Sequence, residues 1–258
     1  LKTGLRRIKE LLDAKVELYN QPAFIENDPI CIPHLFNNRK DIEIIGFWIA
    51  MLSWGQRTTI INKGKELCDI MDYAPYDFIM NAGDKDYQRL ETFKHRTFNG
   101  GDALSFASFF RWYYQQYETL ESVFIDCDGS DEGRGIAKIK TLFLESPDFL
   151  PRTKKHIASP CNNSSCKRIN MFLRWMVRKD ERGVDFGLWH QIDPKNLMIP
   201  LDVHVHRVAT NLGLLTRKQA DWKSVVELTK LLRIMDSNDP VRYDYALFGM
   251  GIKEKSEF

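Results

Sequence analysis

Ile199-Pro200-Leu201-Asp202-Val203-His204-Val205-His206-Arg207-Val208-Ala209 is the stretch on which the reading of this chain turns. After Asp202 the apolar residues Val205, Val208, Ala209 and Leu212 recur at helical spacing, and Gly213 supplies a helix stop. Asp202 therefore falls at the N-cap, where its carboxylate accepts hydrogen bonds from free backbone amides and the helix dipole favours its charge. The consequence is a fixed anion at a helix start. Thirty-five residues upstream, Lys167 follows Ser164, Ser165 and Cys166 and opens another helix, whose buried stripe is Ile169, Phe172, Leu173 and Met176. Its amine projects from the first turn, so an amine and a carboxylate can meet in one cleft.

Outward from these two helices the periodicity stays helical, and no strand pattern competes with it. Ile42, Ile45, Ile49 and Leu52 form one stripe; Ile60, Gly64, Leu67, Cys68 and Met71 form the next; Phe106, Phe109, Phe110, Tyr113 and Tyr117 form a third. Asp221 before Trp222, Val225, Leu228 and Leu232 marks another helix start, as does Asp239-Pro240. Turns are expected at Asn81-Ala82-Gly83-Asp84, Asn99-Gly100-Gly101-Asp102 and Cys127-Asp128-Gly129-Ser130. There is no repeat and no long linker, so the expectation is an all-α chain of two lobes around a cleft.

Composition sets bounds rather than a function. At 258 residues and 43% hydrophobic the chain can bury a sizeable core. Its longest apolar run, Ile44 to Leu52, is too short to span a bilayer, and the first residues read as a charged amphipathic helix. Five cysteines without framework spacing point to reduced thiols. A cytoplasmic, nucleoid-associated location is expected, with no membrane contact. The formal charge of +2 does not announce a nucleic acid; its distribution is more telling, although a basic stretch can also be a plain solvated charge run. Pro151 to Arg182 holds nine Lys or Arg against two Asp or Glu, whereas Glu118 to Asp148 holds eight acids against three bases. Lys167, Arg174 and Arg178 also share a helical face, which suits a polyanion.

Ile199 to Leu214, IPLDVHVHRVATNLGL, resembles the segment that follows the hairpin in the helix-hairpin-helix base-excision DNA glycosylases. Leu52 to Lys63, LSWGQRTTIINK, is similar to that family's polar loop, which inserts a side chain into the DNA stack. The resemblance implies a two-lobed helical bundle, with lobes at 38–180, carrying the hairpin, and at 1–37 plus 181–258. It implies Lys167 as the nucleophile on the sugar and Asp202 as its assistant, acting on a damaged base in duplex DNA without a cofactor or a metal. A Schiff base formed in this way could proceed to strand cleavage, an AP-lyase activity. DNA contacts are expected from Gln56, Arg57, Ser164, Ser165, Arg168, Arg174, Arg178, His204 and Arg207, and a base pocket from Trp54, Trp175 and Trp189. Two departures stand out. The family's hairpin glycines are replaced by Pro160-Cys161-Asn162-Asn163-Ser164-Ser165-Cys166, and Asp180 to Met198 reads as an insertion before the aspartate. That arrangement is nearer to the archaeal 8-oxoguanine glycosylase branch and to an uncharacterised bacterial family related to it. The lesion therefore does not carry over, and protein partners are unknown.

Other readings use the same residues. With its hairpin glycines lost, the chain also fits a non-enzymatic DNA-binding protein on the same fold. Asp202-Val203-His204-Val205-His206 resembles the Asp-x-His-x-His metal motif of amidohydrolases, but histidines two apart on a helix face different directions, and only fifty-two residues follow His206 where a (β/α)8 barrel would be needed. His156, Cys161 and Cys166 have unusual spacing for zinc, and no cysteine follows Cys166, so an iron-sulfur cluster is not expected. Asp202 can be a plain helix cap, Lys167 a solvated lysine, Gln56 and Arg57 a polar bridge between helices, and the tryptophans core.

Overall fold

The computed structural model describes residues 3–125 and 133–254, and among these every regular element is helical. In chain order the α-helices are α1 (Thr3–Tyr19), α2 (Arg39–Leu52), α3 (Arg57–Ile70), α4 (Pro75–Asn81), α5 (Asp84–Glu91), α6 (Gly100–Tyr114), α7 (Glu121–Phe124), α8 (Arg134–Glu145), α9 (Lys167–Val177), α10 (Val203–Asn211), α11 (Trp222–Met235) and α12 (Tyr243–Lys253). No described helix is long and apolar enough to cross a membrane. The expected stripes lie on these helices except for Tyr117, which falls beyond the end of α6 and is exposed, and Gly213 ends α10 with a φ of +70° while the Leu214 amide donates back to Ala209.

Two compact units result. One comprises residues up to Phe24 together with those from Ser159 onward; the other comprises Ile25–Ile125 and Gly135–Ala158. The resemblance sets boundaries at 37/38 and 180/181 and groups the hairpin with the earlier helices; here α9 groups with the terminal helices.

The Ile25–Ile125 unit is built on α2, buried from Ile42 through Leu52, as expected of a helix apolar on all sides. Phe47 meets Phe106, Phe110 and Phe143, and Phe109 stacks on Phe143 at 3.6 Å. The fully buried Glu43 is satisfied by Tyr114, Thr119, the Leu120 amide and Arg39. Asn99-Gly100-Gly101-Asp102, expected as a turn, is instead a capping box that opens α6. Gly100 lies so close to Glu91 that a Cβ would fall 2.0 Å from its carbonyl oxygen, which fixes glycine there. The turn expected at Asn81 to Asp84 separates α4 from α5, and the one at Cys127 to Ser130 lies outside the described residues.

In the other unit α12 is the central helix, with α1 and α10 packed along it. A Cβ at Gly249 would come within 2.2 Å of the Tyr19 ring, so the absence of a side chain there sets the approach of α1. Asp239-Pro240 opens a short 3-10 turn before α12, but the Asp239 side chain does not cap it; that carboxylate is drawn to Arg178 instead.

Candidate active site

The segment Pro160 to Cys166, expected to stand where a glycine hairpin would, forms a polar turn before α9. Asn163 and Cys166 take left-handed conformations with φ of 54° and 50°, where glycine would normally stand. Polar anchors hold the turn in place of glycine's freedom. Asn163 donates to Asp221 at 3.2 Å, the Trp222 amide donates to the Asn163 carbonyl, Ser164 pairs with Asp221 in an isolated bridge, and the Ser164 hydroxyl accepts from the Cys166 amide. Asp221 also caps α11 and receives Arg217 at 2.6 Å, whose hydrogen bond leads the causes that hold its pKa far below the usual carboxylate value. Ser165, half-buried, accepts from Asn170.

Lys167 is the first residue of α9, directly after the left-handed Cys166, and is half-buried. Asp202 is the N-cap of α10, as its sequence position requires: its Oδ1 accepts from the His204 and Val205 amides at 2.8 and 2.9 Å. Both residues act on a third group that the sequence reading missed. Asp244, in the first turn of α12, has a buried carboxyl pushed up to about 7 by desolvation; Arg174 works against this, Asp202 adds to it and Lys167 opposes it. Asp244 thus lies within electrostatic reach of Lys167 and of Asp202, each at the start of its own helix.

Four half-buried groups border this cluster. Phe248 stands one turn beyond Asp244, the Phe24 ring lies 6.4 Å from it, and the His204 ring 6.3 Å from it. The His204 Nδ1 is buried without a hydrogen-bond partner, as is the Arg207 Nε, while the Arg207 Nη2 donates to the Gly251 carbonyl at 2.6 Å. His204 and Arg207, expected on the DNA, thus turn toward α12, because Gly251 lets that helix approach the His204 backbone. His206 faces elsewhere and meets the Arg217 carbonyl at 3.0 Å, so the two histidines do not converge on a metal. Among the described residues no group of three His, Cys, Asp or Glu side chains is placed to hold a metal ion.

Two expected DNA contacts are corrected. Arg174 and Arg178 are only 4% and 3% exposed. Arg174 pairs with Asp185 and Asp244, Arg178 pairs with Asp180, Asp185 and Asp239, and both guanidiniums lie over the Tyr245 ring. Although burial opposes it, the surrounding carboxylates, Asp185 first, strengthen the charge on Arg178. The shared face of Lys167, Arg174 and Arg178 is real but turns inward after its first residue, so these arginines neither contact phosphates nor lend Lys167 a net positive field. Arg168 is half-buried, and desolvation pushes its guanidinium down to about 10, leaving it cationic at neutral pH.

The expected base pocket is corrected in the same way. Trp175 and Trp189 are 0% and 1% exposed, with Trp189 edge-on to Phe172, so both fill the core and leave no face for a base. Trp54 is half-buried in the Ile25–Ile125 unit, edge-on to His95 and stacked on His156. Gly55 follows with a φ of +102°, and the Arg96 guanidinium occupies the space a side chain would need there. Gln56 is the exposed N-cap residue of α3 and makes no capping bond; Arg57, half-buried, begins that helix.

Asp244 and Phe248 could have been found from Asp239-Pro240, which announces a helix start with an acid in its first turn. Such an acid reads by default as a complement to the helix dipole.

The class defined by this arrangement is an all-helical protein in which Lys167 and Asp202 open two helices of one unit, each within electrostatic reach of Asp244 in the first turn of a third. The chain belongs to the family described as Protein of unknown function (DUF2400), whose profile matches residues 28–253. No curated protein and no solved structure matches the chain.

Proposed function

We propose that the protein is a DNA base-excision glycosylase of the helix-hairpin-helix kind, removing a damaged base from duplex DNA. The observation that carries this reading is that Lys167 and Asp202, both picked out in the sequence, open α9 and α10 of the same unit and both act electrostatically on the buried Asp244. The chemistry fits the parts. The bond between base and sugar is inaccessible inside a duplex, so the nucleotide must leave the stack. Phe248 and Phe24 offer half-exposed rings on which an extruded base can stack. Asp202, oriented by two backbone amides, answers the positive charge that develops on the sugar, and the Lys167 amine is the group suited to attack the anomeric carbon. A Schiff base so formed gives a route to strand cleavage. Nucleoid association follows from the substrate.

The test is a panel of duplexes, each carrying one oxidised, deaminated or alkylated base or an abasic site, incubated with the protein and then reduced with borohydride. Base release with a covalent adduct on Lys167 is the expected result. An adduct on Lys154, Lys155 or Lys179 would keep the activity and move the nucleophile. DNA binding without release or adduct would leave a non-enzymatic DNA-binding protein, a reading favoured by the loss of the hairpin glycines.

A further inference from the structure

The basic stretch that begins at Pro151 divides in the fold. Arg174 and Arg178, in its later part, are buried among carboxylates, whereas Arg152, Lys154 and Lys155 stand exposed on the 3-10 turn Pro151–His156. A buried anion anchors that turn. Asp102 of α6 accepts from Thr153 at 2.8 Å and from the Asn99 amide at 3.0 Å, and it draws in Arg152 at 3.4 Å and His156 at 3.3 Å. Two further turns of the same unit close on this one. The Trp54 ring stacks on His156 at 5.7 Å and meets His95 edge-on at 4.8 Å, while the His95 Nε2 lies 3.2 Å from the Trp54 carbonyl oxygen. His95 and Phe98 pair across a tight turn in which Arg96 is left-handed, with a φ of 54°. Arg96 reaches back to Gly55, and Arg152 donates to the Thr97 carbonyl at 3.3 Å. Trp54–Arg57, Lys94–Thr97 and Arg152–His156 thus share one surface over a floor of rings.

The charge of this surface is one-sided. Residues 53–59, 92–99 and 150–158 hold six Lys or Arg and no Asp or Glu. Arg152 is answered by Asp102, but among the described residues no carboxylate pairs with Lys94, Arg96, Lys154 or Lys155, all of them exposed. The acids next along the chain are the buried Asp102 and the exposed Glu91 and Asp148.

We infer that this surface is a docking platform for the phosphate backbone of duplex DNA, built by the Ile25–Ile125 unit and independent of Lys167 and Asp202. Four cations without carboxylate partners, spread over two turns, are more than one small anion can engage, and they suit a polymer whose charge repeats at short intervals. The turns are held beforehand by Asp102 and by the ring floor, so little order has to be gained on binding. Contacts to phosphates position a duplex without reading its sequence, and the platform therefore holds damaged and undamaged DNA alike. It goes beyond the glycosylase reading, since it stands whether or not a base is ever removed.

The test measures binding of the whole protein to a short undamaged duplex over a series of salt concentrations. Wild-type affinity should fall steeply with salt. The fourfold variant Lys94→Gln, Arg96→Gln, Lys154→Gln, Lys155→Gln should bind about 100-fold more weakly at low salt, with the slope flattened by about three to four units. A control variant removes the same charge from exposed positions elsewhere, by Arg7→Gln, Lys65→Gln, Lys85→Gln and Lys223→Gln, and should stay within about threefold of wild type. Equal losses in the two variants would overturn the platform, because binding would then follow net charge alone. So would a wild type that does not bind the duplex, or a platform variant that binds it unchanged. Phosphatidylserine vesicles provide the other arm: binding to them through these four cations, with none to the duplex, would assign the surface to a membrane and overturn the proposal. If circular dichroism shows the fourfold variant unfolded, the pairs at 94/96 and 154/155 are made separately, and each should flatten the slope by about two units; no change in either pair overturns the platform. Duplex binding that depends on these cations, in a protein that releases no base from any lesion, would support the platform and remove only the glycosylase reading.

Discussion

Asp202 and Asp221 are the same residue in the same local role, yet they leave very different charges behind. Both cap a helix from an extended backbone, with φ of −110° and −115°. Asp221 is saturated: the Ser224 amide, Asn163 and Arg217 engage both its oxygens and tie it to the hairpin turn. Asp202 receives two amides on one oxygen, and among the described residues its other oxygen has no hydrogen bond. The difference is an arginine four residues before one cap and none before the other. A capping aspartate answered by a guanidinium belongs to the scaffold, and one answered only by its own helix keeps a charge that can act on a ligand.

That contrast can be broken at four places. The largest effect is expected from Lys167→Gln, which should abolish the borohydride adduct outright while DNA affinity changes little, since one cation among several adds about one unit to the salt slope. Arg178→Ala should cost about 3–5 kcal/mol of stability by leaving buried carboxylates unanswered. Denaturant titration would read that loss; a variant of normal stability with a flattened salt slope would return Arg178 to the DNA surface. Asp202→Asn should hold the melting temperature, because asparagine is also a good cap, and should lower base release by roughly 100-fold. Equal turnover in both proteins would make Asp202 as structural as Asp221.

The smallest effect is expected from Asp221→Ala, which should cost about 1–2 kcal/mol through loss of the cap and the hairpin anchor. It carries a pH signature whose sign is fixed. The folded pKa of Asp221 lies below its unfolded value, so its contribution is fully present above about pH 4 and fades as the carboxylate protonates at lower pH. Wild type and variant should therefore converge in stability under acid, and a constant gap down to low pH would show that the charge of Asp221 contributes nothing.

What the sequence could disclose follows from the range of the interactions involved. The cap at Asp202, the start of α9 at Lys167 and the stop at Gly213 are set by neighbours within a turn, and spacing alone reveals them. Arg174 and Arg178 share the face of Lys167 in sequence, but spacing does not say whether a face looks outward. Their partners Asp239 and Asp244 lie sixty-one and seventy residues away, beyond any local pattern. The tryptophans fail for the same reason, since a large ring at helical spacing serves a core or a pocket equally well. Cys166 shows a subtler limit: a left-handed residue announces itself when it is glycine, and here long-range anchors impose that conformation on a cysteine.

Gly249 carries one more consequence. It lies one residue from Phe248 and a little over a turn from Asp244, and it is the point at which Tyr19 of α1 presses onto α12. A methyl group added there acts as a wedge between the first and last described helices, and the strain spreads along a rigid rod to the groups it carries. On the proposed glycosylase reading, Gly249→Ala should act as a remote substitution, slowing base release through the aim of Lys167 and Asp202 while touching neither side chain.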